Sequence, residues 1–167
     1  MKKQQKGFSL IELLIVVAII LIIAAIAIPN LLRSKMAANE SSAVGSMRTI
    51  NTAEVTYATA YPNVGYSIDM PSLTGVPATC ATTATSTQSC LIDAVLANAT
   101  GAGTAKSGYW FGYAVTGAAG GINTAYTILA SPANAGTTGQ RYFFTDQTGV
   151  IRYGLTGAAT ANSSAIQ

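Results

Sequence analysis

The sequence predicts an α+β fold: one long, kinked N-terminal α-helix packed against an antiparallel β-sheet of roughly four strands. Three observations carry this expectation. Residues Phe8 to Ile28 are apolar except for Ser9 and Glu12. From Val44 to Tyr57, apolar side chains recur at the three- to four-residue spacing of a helix with one buried face. From Ser107 onward the repeat shortens to two, as in half-buried strands.

The chain starts MKKQQKG, short and basic, before the apolar run. As a helix, Phe8 to Ile28 would rise ~31 Å, which matches a bilayer hydrocarbon core of ~30 Å. The run is too long for an ordinary secretory signal peptide, and Ala24, Ala25 and Ala27 sit among isoleucines and Pro29 rather than in a cleavage site. A plain membrane anchor leaves Glu12 unexplained, because a carboxylate in an apolar span is costly. Cleavage after Gly7 accounts for both residues. It gives Phe8 a free α-amine, one helical turn before Glu12. That amine could pair with Glu12 of its own chain or of a neighbouring subunit, offsetting the desolvation of both groups and setting an axial register.

Beyond Pro29 the residues Val44, Met47, Ile50, Ala53 and Tyr57 form an amphipathic stripe, with Arg33, Lys35, Glu40, Arg48 and Glu54 assigned to the polar face. The helix is expected to run from Phe8 to about Tyr61, where Tyr61-Pro62-Asn63-Val64-Gly65 stops it. Residues 62–106 read as a loop rich in Thr, Ala and Ser, with a short helix at Leu91 to Ala97. Within 107–155, Tyr109, Phe111, Tyr113 and Val115 alternate with smaller or outward residues. Tyr126, Ile128 and Ala130 form a second run, Tyr142 and Phe144 a third, and Val150 to Tyr153 follows a turn at Asp146-Gln147-Thr148-Gly149. Asp146 is read as shaping that turn rather than binding calcium. The tail, 156–167, is small and polar and carries no regular pattern.

Composition narrows the function. The chain is 50% hydrophobic and 9% charged, far less charged than an ordinary soluble domain. Its formal charge is +3, but removing Lys2, Lys3 and Lys6 leaves six basic residues against six acidic ones. Without a basic cluster, charge does not indicate nucleic acid as a partner. The absence of histidine removes the commonest general base and metal ligand. The six carboxylates are scattered, and neither a P-loop nor a dinucleotide fingerprint is present. The expectation is a protein that is not an enzyme, with no catalytic residues, no cofactor and no metal.

The stretch KGFSLIELLIVVAIILIIAAIAIP, Lys6 to Pro29, closely resembles the N-terminus of type IV pilins and the related pseudopilins of type II secretion systems. The resemblance implies that residues 1–7 are a prepilin leader. A prepilin peptidase would cut between Gly7 and Phe8 and N-methylate Phe8. Glu12 would serve methylation and assembly, and Pro29 would mark the helix bend. Residues 8–29 would be the transmembrane and assembly half of the helix, and 30–61 its amphipathic half. Ser9 stands where threonine is more usual, and Leu21 where many pilins have glycine. The implied partners are further copies of the chain in a helical filament, the peptidase, the assembly machinery and the inner membrane before assembly. The implied destination is an extracellular pilus. The alternatives are a pseudopilin and a membrane-anchored binding module. Cys80 and Cys90 would be exported to an oxidising compartment, where a disulfide is expected. Their spacing does not match a C-x-x-C redox motif.

Overall fold

The computed structural model describes residues 8–76, 80–81 and 83–166. Gly7 and the other residues of the expected 1–7 leader lie outside them. The chain divides into two compact units, residues 1–35 and 36–167. Helix α1, Leu10–Ala60, contributes to both and is helical through Pro29.

In the second unit, α1 buries Ala43, Met47, Ile50, Ala53 and Tyr57. Ala43 therefore takes the innermost place that the repeat assigns to Val44, which is only partly buried at the edge of the core. Two polar-face assignments are corrected. Glu40 and Glu54 lie on the buried side, 7% and 0% exposed. Both find hydrogen-bond donors from distant segments there, so burial leaves neither carboxyl unpartnered. On the exposed side, the hydroxyls of Ser41, Thr49, Thr52, Thr56 and Thr59 each donate to the carbonyl four residues earlier.

The helix stops where the chain turns to meet the sheet. Tyr61 O accepts the N–H groups of Val64 and Gly65, and Val64 and Tyr66 on either side of Gly65 bond to Asn123. Gly65 has φ 77°, and a Cβ there would lie 2.1 Å from Asn123 O. Only glycine fits that approach.

The sheet has five strands in sequential order: β1 Tyr109–Ala119, β2 Ile122–Pro132, β3 Tyr142–Asp146, β4 Arg152–Gly154 and β5 Ser164–Ala165. Each adjacent pair is antiparallel. The fifth strand comes from the tail, which carries no strand pattern in the sequence. It adds only two residues, Ala165 and Ser164, opposite Arg152 and Tyr153. The β1–β2 hairpin turns on Gly120 and Gly121, with φ of 60° and 84°. Two consecutive positive values give the twist that a two-residue hairpin needs. The inner face carries Tyr109, Phe111, Tyr126, Ile128, Ala130 and Phe143, all joined in one core with α1. The third run is corrected by one residue. Phe143 and Thr145, both at 0% exposure, hold the deepest places, rather than Tyr142 and Phe144. A one-residue change of phase exchanges the two faces of a strand.

Between helix and sheet, Leu73 O accepts the N–H groups of Leu91 and Ile92, and Ser72 O accepts that of Ser89. Cys80 and Cys90 are joined by a disulfide, with Cα atoms 5.7 Å apart. Helix α2, Ala94–Ala97, is shorter than the 91–97 segment and begins where Asp93 caps the Leu96 N–H. The turn after β3 is built by Asp146, whose Oδ1 accepts from the N–H and hydroxyl of Thr148.

Candidate functional site

The first turn of α1 gathers Phe8, Ser9 and Glu12. Ser9 is the residue before the helix, and its carbonyl accepts the Leu13 N–H at 3.2 Å. Its own N–H donates to Glu12 Oε2 at 2.9 Å. This is the carboxylate half of a capping box, in which an acid three residues into the helix satisfies an amide that the helix cannot. A negative charge is also favoured at a helix N-terminus. Glu12 thus has a local role that the sequence reading missed, although the Ser9-x-x-Glu12 spacing signals it.

The residues that follow are apolar and outward on every side. Phe8 is 84% exposed, and the large aliphatic side chains from Leu10 to Leu32 are exposed as well. No charged side chain other than Glu12 occurs between Phe8 and Leu32. The segment is long and apolar enough to cross a membrane. So large an apolar surface needs lipid or other apolar helices around it. Pro29 lies within the helix and lacks the N–H that would bond Ala25, a local weakness in the ladder. Phe8 and Glu12 both lie at the helix start, where the hydrogen-bond partner of Glu12 is the Ser9 amide. Pro29 lies further along the same helix, and the Cys80–Cys90 bond belongs to the other unit.

The carboxylates of the second unit are engaged differently. Glu40 Oε2 accepts Arg141 Nε–H at 2.7 Å, and Glu40 Oε1 accepts the N–H groups of Gln140 and Arg141. Burial disfavours its charge, but these bonds and the Arg141 charge outweigh burial and hold the carboxyl below its usual range. Asp93 pairs with Lys106 at 3.8 Å on the surface. Among the described residues, no three His, Cys, Asp or Glu side chains gather as metal ligands would.

A long apolar helix with an acid in its first turn is followed in sequence by a sheet-bearing unit. Residues 2–28 match the family model described as the prokaryotic N-terminal methylation motif. The type IV major pilin protein PilA of Myxococcus xanthus is 44% identical over 54 residues, which cover 32% of this chain and 24% of that protein. The type IV wide pilus major component PilA4 of Thermus thermophilus is 59% identical over 39 residues, 23% of this chain and 30% of that protein. The type IV major fimbrial protein FimA of Dichelobacter nodosus is 56% identical over 52 residues, 29% of this chain and 33% of that protein. The chain thus resembles type IV pilins through its N-terminal part, and it spans a third or less of the length of these relatives. Its long helix and antiparallel sheet are consistent with the α+β pilin fold. No solved structure matches the chain.

Proposed function

We propose that the chain is the non-enzymatic structural subunit of a type IV pilus filament. It waits in the inner membrane as a single-pass protein and is then built into an extracellular fibre. The observation that carries this reading is an apolar helix exposed all round, with one carboxylate in its first turn, inside a methylation motif. Prepilin peptidase removes residues 1–7 by cutting between Gly7 and Phe8, and Phe8 is then N-methylated. The new ammonium lies one turn from Glu12. Because the Ser9 N–H occupies Oε2, the second carboxylate oxygen can serve the ammonium of the same or a neighbouring subunit. Residues 8–29 form the apolar bundle, with Pro29 allowing the helix to bend, and residues 30–61 join it to the outer sheet. The Cys80–Cys90 bond staples the intervening loop in the oxidising compartment.

The relatives named above are major pilins and a major fimbrial protein, which supports a pilus subunit over a type II secretion pseudopilin. Mass spectrometry of sheared surface fibres tests the proposal. The expected product begins at Phe8 and carries one methyl group. A chain that begins at Met1, or fibres that persist when the gene is deleted, overturns it.

A further inference from the structure

Glu54 is the most deeply buried carboxyl among the described residues, with 0% exposure. Its Oε2 accepts the Ser67 N–H at 3.0 Å, and its Oε1 lies 2.5 Å from Ser67 Oγ. The same hydroxyl oxygen lies 3.0 Å from Asp69 O and 3.2 Å from Tyr113 Oη. The Tyr113 hydroxyl donates to Ser67 O at 2.8 Å, so its proton is already placed. No cation joins this group. The ion pairs among the described residues are Lys106–Asp93 and Arg141–Glu40. The titratable groups facing Glu54 are Tyr113 from β1, Tyr126 from β2 and Tyr57 from its own helix, with Asp69 in the nearby loop acting on Tyr57. The Asp69 carboxylate is itself held by the N–H and hydroxyl of Ser72.

Counting protons decides between the two forms of this cluster. If Glu54 is ionised, the single Ser67 hydroxyl proton must go to Glu54 Oε1, and Asp69 O loses its donor. The carboxylate is also left in the core with only neutral donors, which is the costly arrangement for a buried charge. If Glu54 is neutral, its own O–H donates to Ser67 Oγ, and the Ser67 hydroxyl is released to Asp69 O. The Ser67 N–H still donates to Oε2. Each donor then has one acceptor.

We propose that Glu54 is carried as a neutral carboxylic acid and acts as a proton-dependent latch, holding residues 66–69 and β1 to the end of α1. Burial pushes the carboxyl above its usual range, against the opposing bonds from Ser67. The sign of the linkage follows. The latch is fully closed below the ordinary glutamate value of ~4.3. It is lost as pH rises through the higher folded value, because the folded chain then binds more protons than the unfolded one. Burial also raises Tyr57, Tyr113 and Tyr126, so these stay neutral and uncharged. The chain has no histidine, and Cys80 and Cys90 are bonded to each other. No histidine or free thiol is therefore present to titrate near neutral pH.

The test uses the full chain in detergent micelles, labelled with carbon-13 at the glutamate carboxyls, and compares it with Glu54→Gln. In the native chain, one carboxyl carbon is expected to titrate well above the others, and its signal should be missing from the variant. The melting temperature of the native chain should fall as pH rises above the ordinary glutamate value of ~4.3. That of the variant, whose amide keeps a donor for Ser67, should stay level. Exchange of the Ser67 amide should accelerate in the native chain beyond the pH response seen in the variant. The proposal is overturned if every glutamate carboxyl is ionised near neutral pH, or if the variant shows the same fall. Should the variant not fold, the carboxyl titration of the native chain still decides.

Discussion

Glu40 and Glu54 share one helix but respond to pH in opposite senses. Glu40 is ionised, and its folded value lies below the ordinary one. Its contribution is therefore present above the unfolded value and lost as pH falls through the lower folded value. Replacing Glu40 with Ala leaves the part-buried Gln140 and Arg141 amides without their acceptor, a loss of about 0.5–1.5 kcal/mol for each bond. The guanidinium itself is 41% exposed, so the ionic part of the loss is small. We expect thermal unfolding of Glu40→Ala to show a lower midpoint at neutral pH, with the gap to the native chain closing in strong acid. Neither role was legible in the sequence. The partners of Glu40 lie about a hundred residues away, and a helical repeat cannot report a donor supplied by another segment. The Ser9–Glu12 cap was legible, because its two members are three residues apart.

The long helix and the cores of β1 and β2 could be read from the sequence because their signals are local: an unbroken apolar run and a change of period. The face of β3 could not. Tyr142, Phe143 and Phe144 are all aromatic, so alternation has no phase until the strand is paired with β2. The fifth strand is legible only through its partner, since Ser164 and Ala165 have weak strand preference of their own. The hairpin supplies a sharp test. Gly120 and Gly121 have open space where a Cβ would stand, so their requirement is one of backbone conformation rather than of room. Gly120→Asn should unfold at or above the native midpoint, because asparagine tolerates this conformation. Gly120→Val should lose roughly 1–2 kcal/mol, measured by thermal or denaturant unfolding.

Two kinds of surface meet in one chain. The core that holds the second unit lies wholly beyond Met36, whereas the first unit exposes nearly all of its apolar side chains. On the proposed function, folding of the one and assembly through the other are therefore separable. We expect Glu12→Ala to insert into membranes and melt like the native chain, yet to yield far fewer sheared fibres in electron micrographs. Normal fibre yield would remove Glu12 from assembly. The hydroxyl groups along the outer side of α1 bear on the same step. Ser41, Thr49, Thr52, Thr56 and Thr59 each give their proton to a carbonyl of their own helix. Drawing them out of water strands no donor, so the usual penalty for burying a hydroxyl is largely absent. Along this row of hydroxyls, though not at the neighbouring Arg48 side chain, a covering surface need offer no polar acceptors in return.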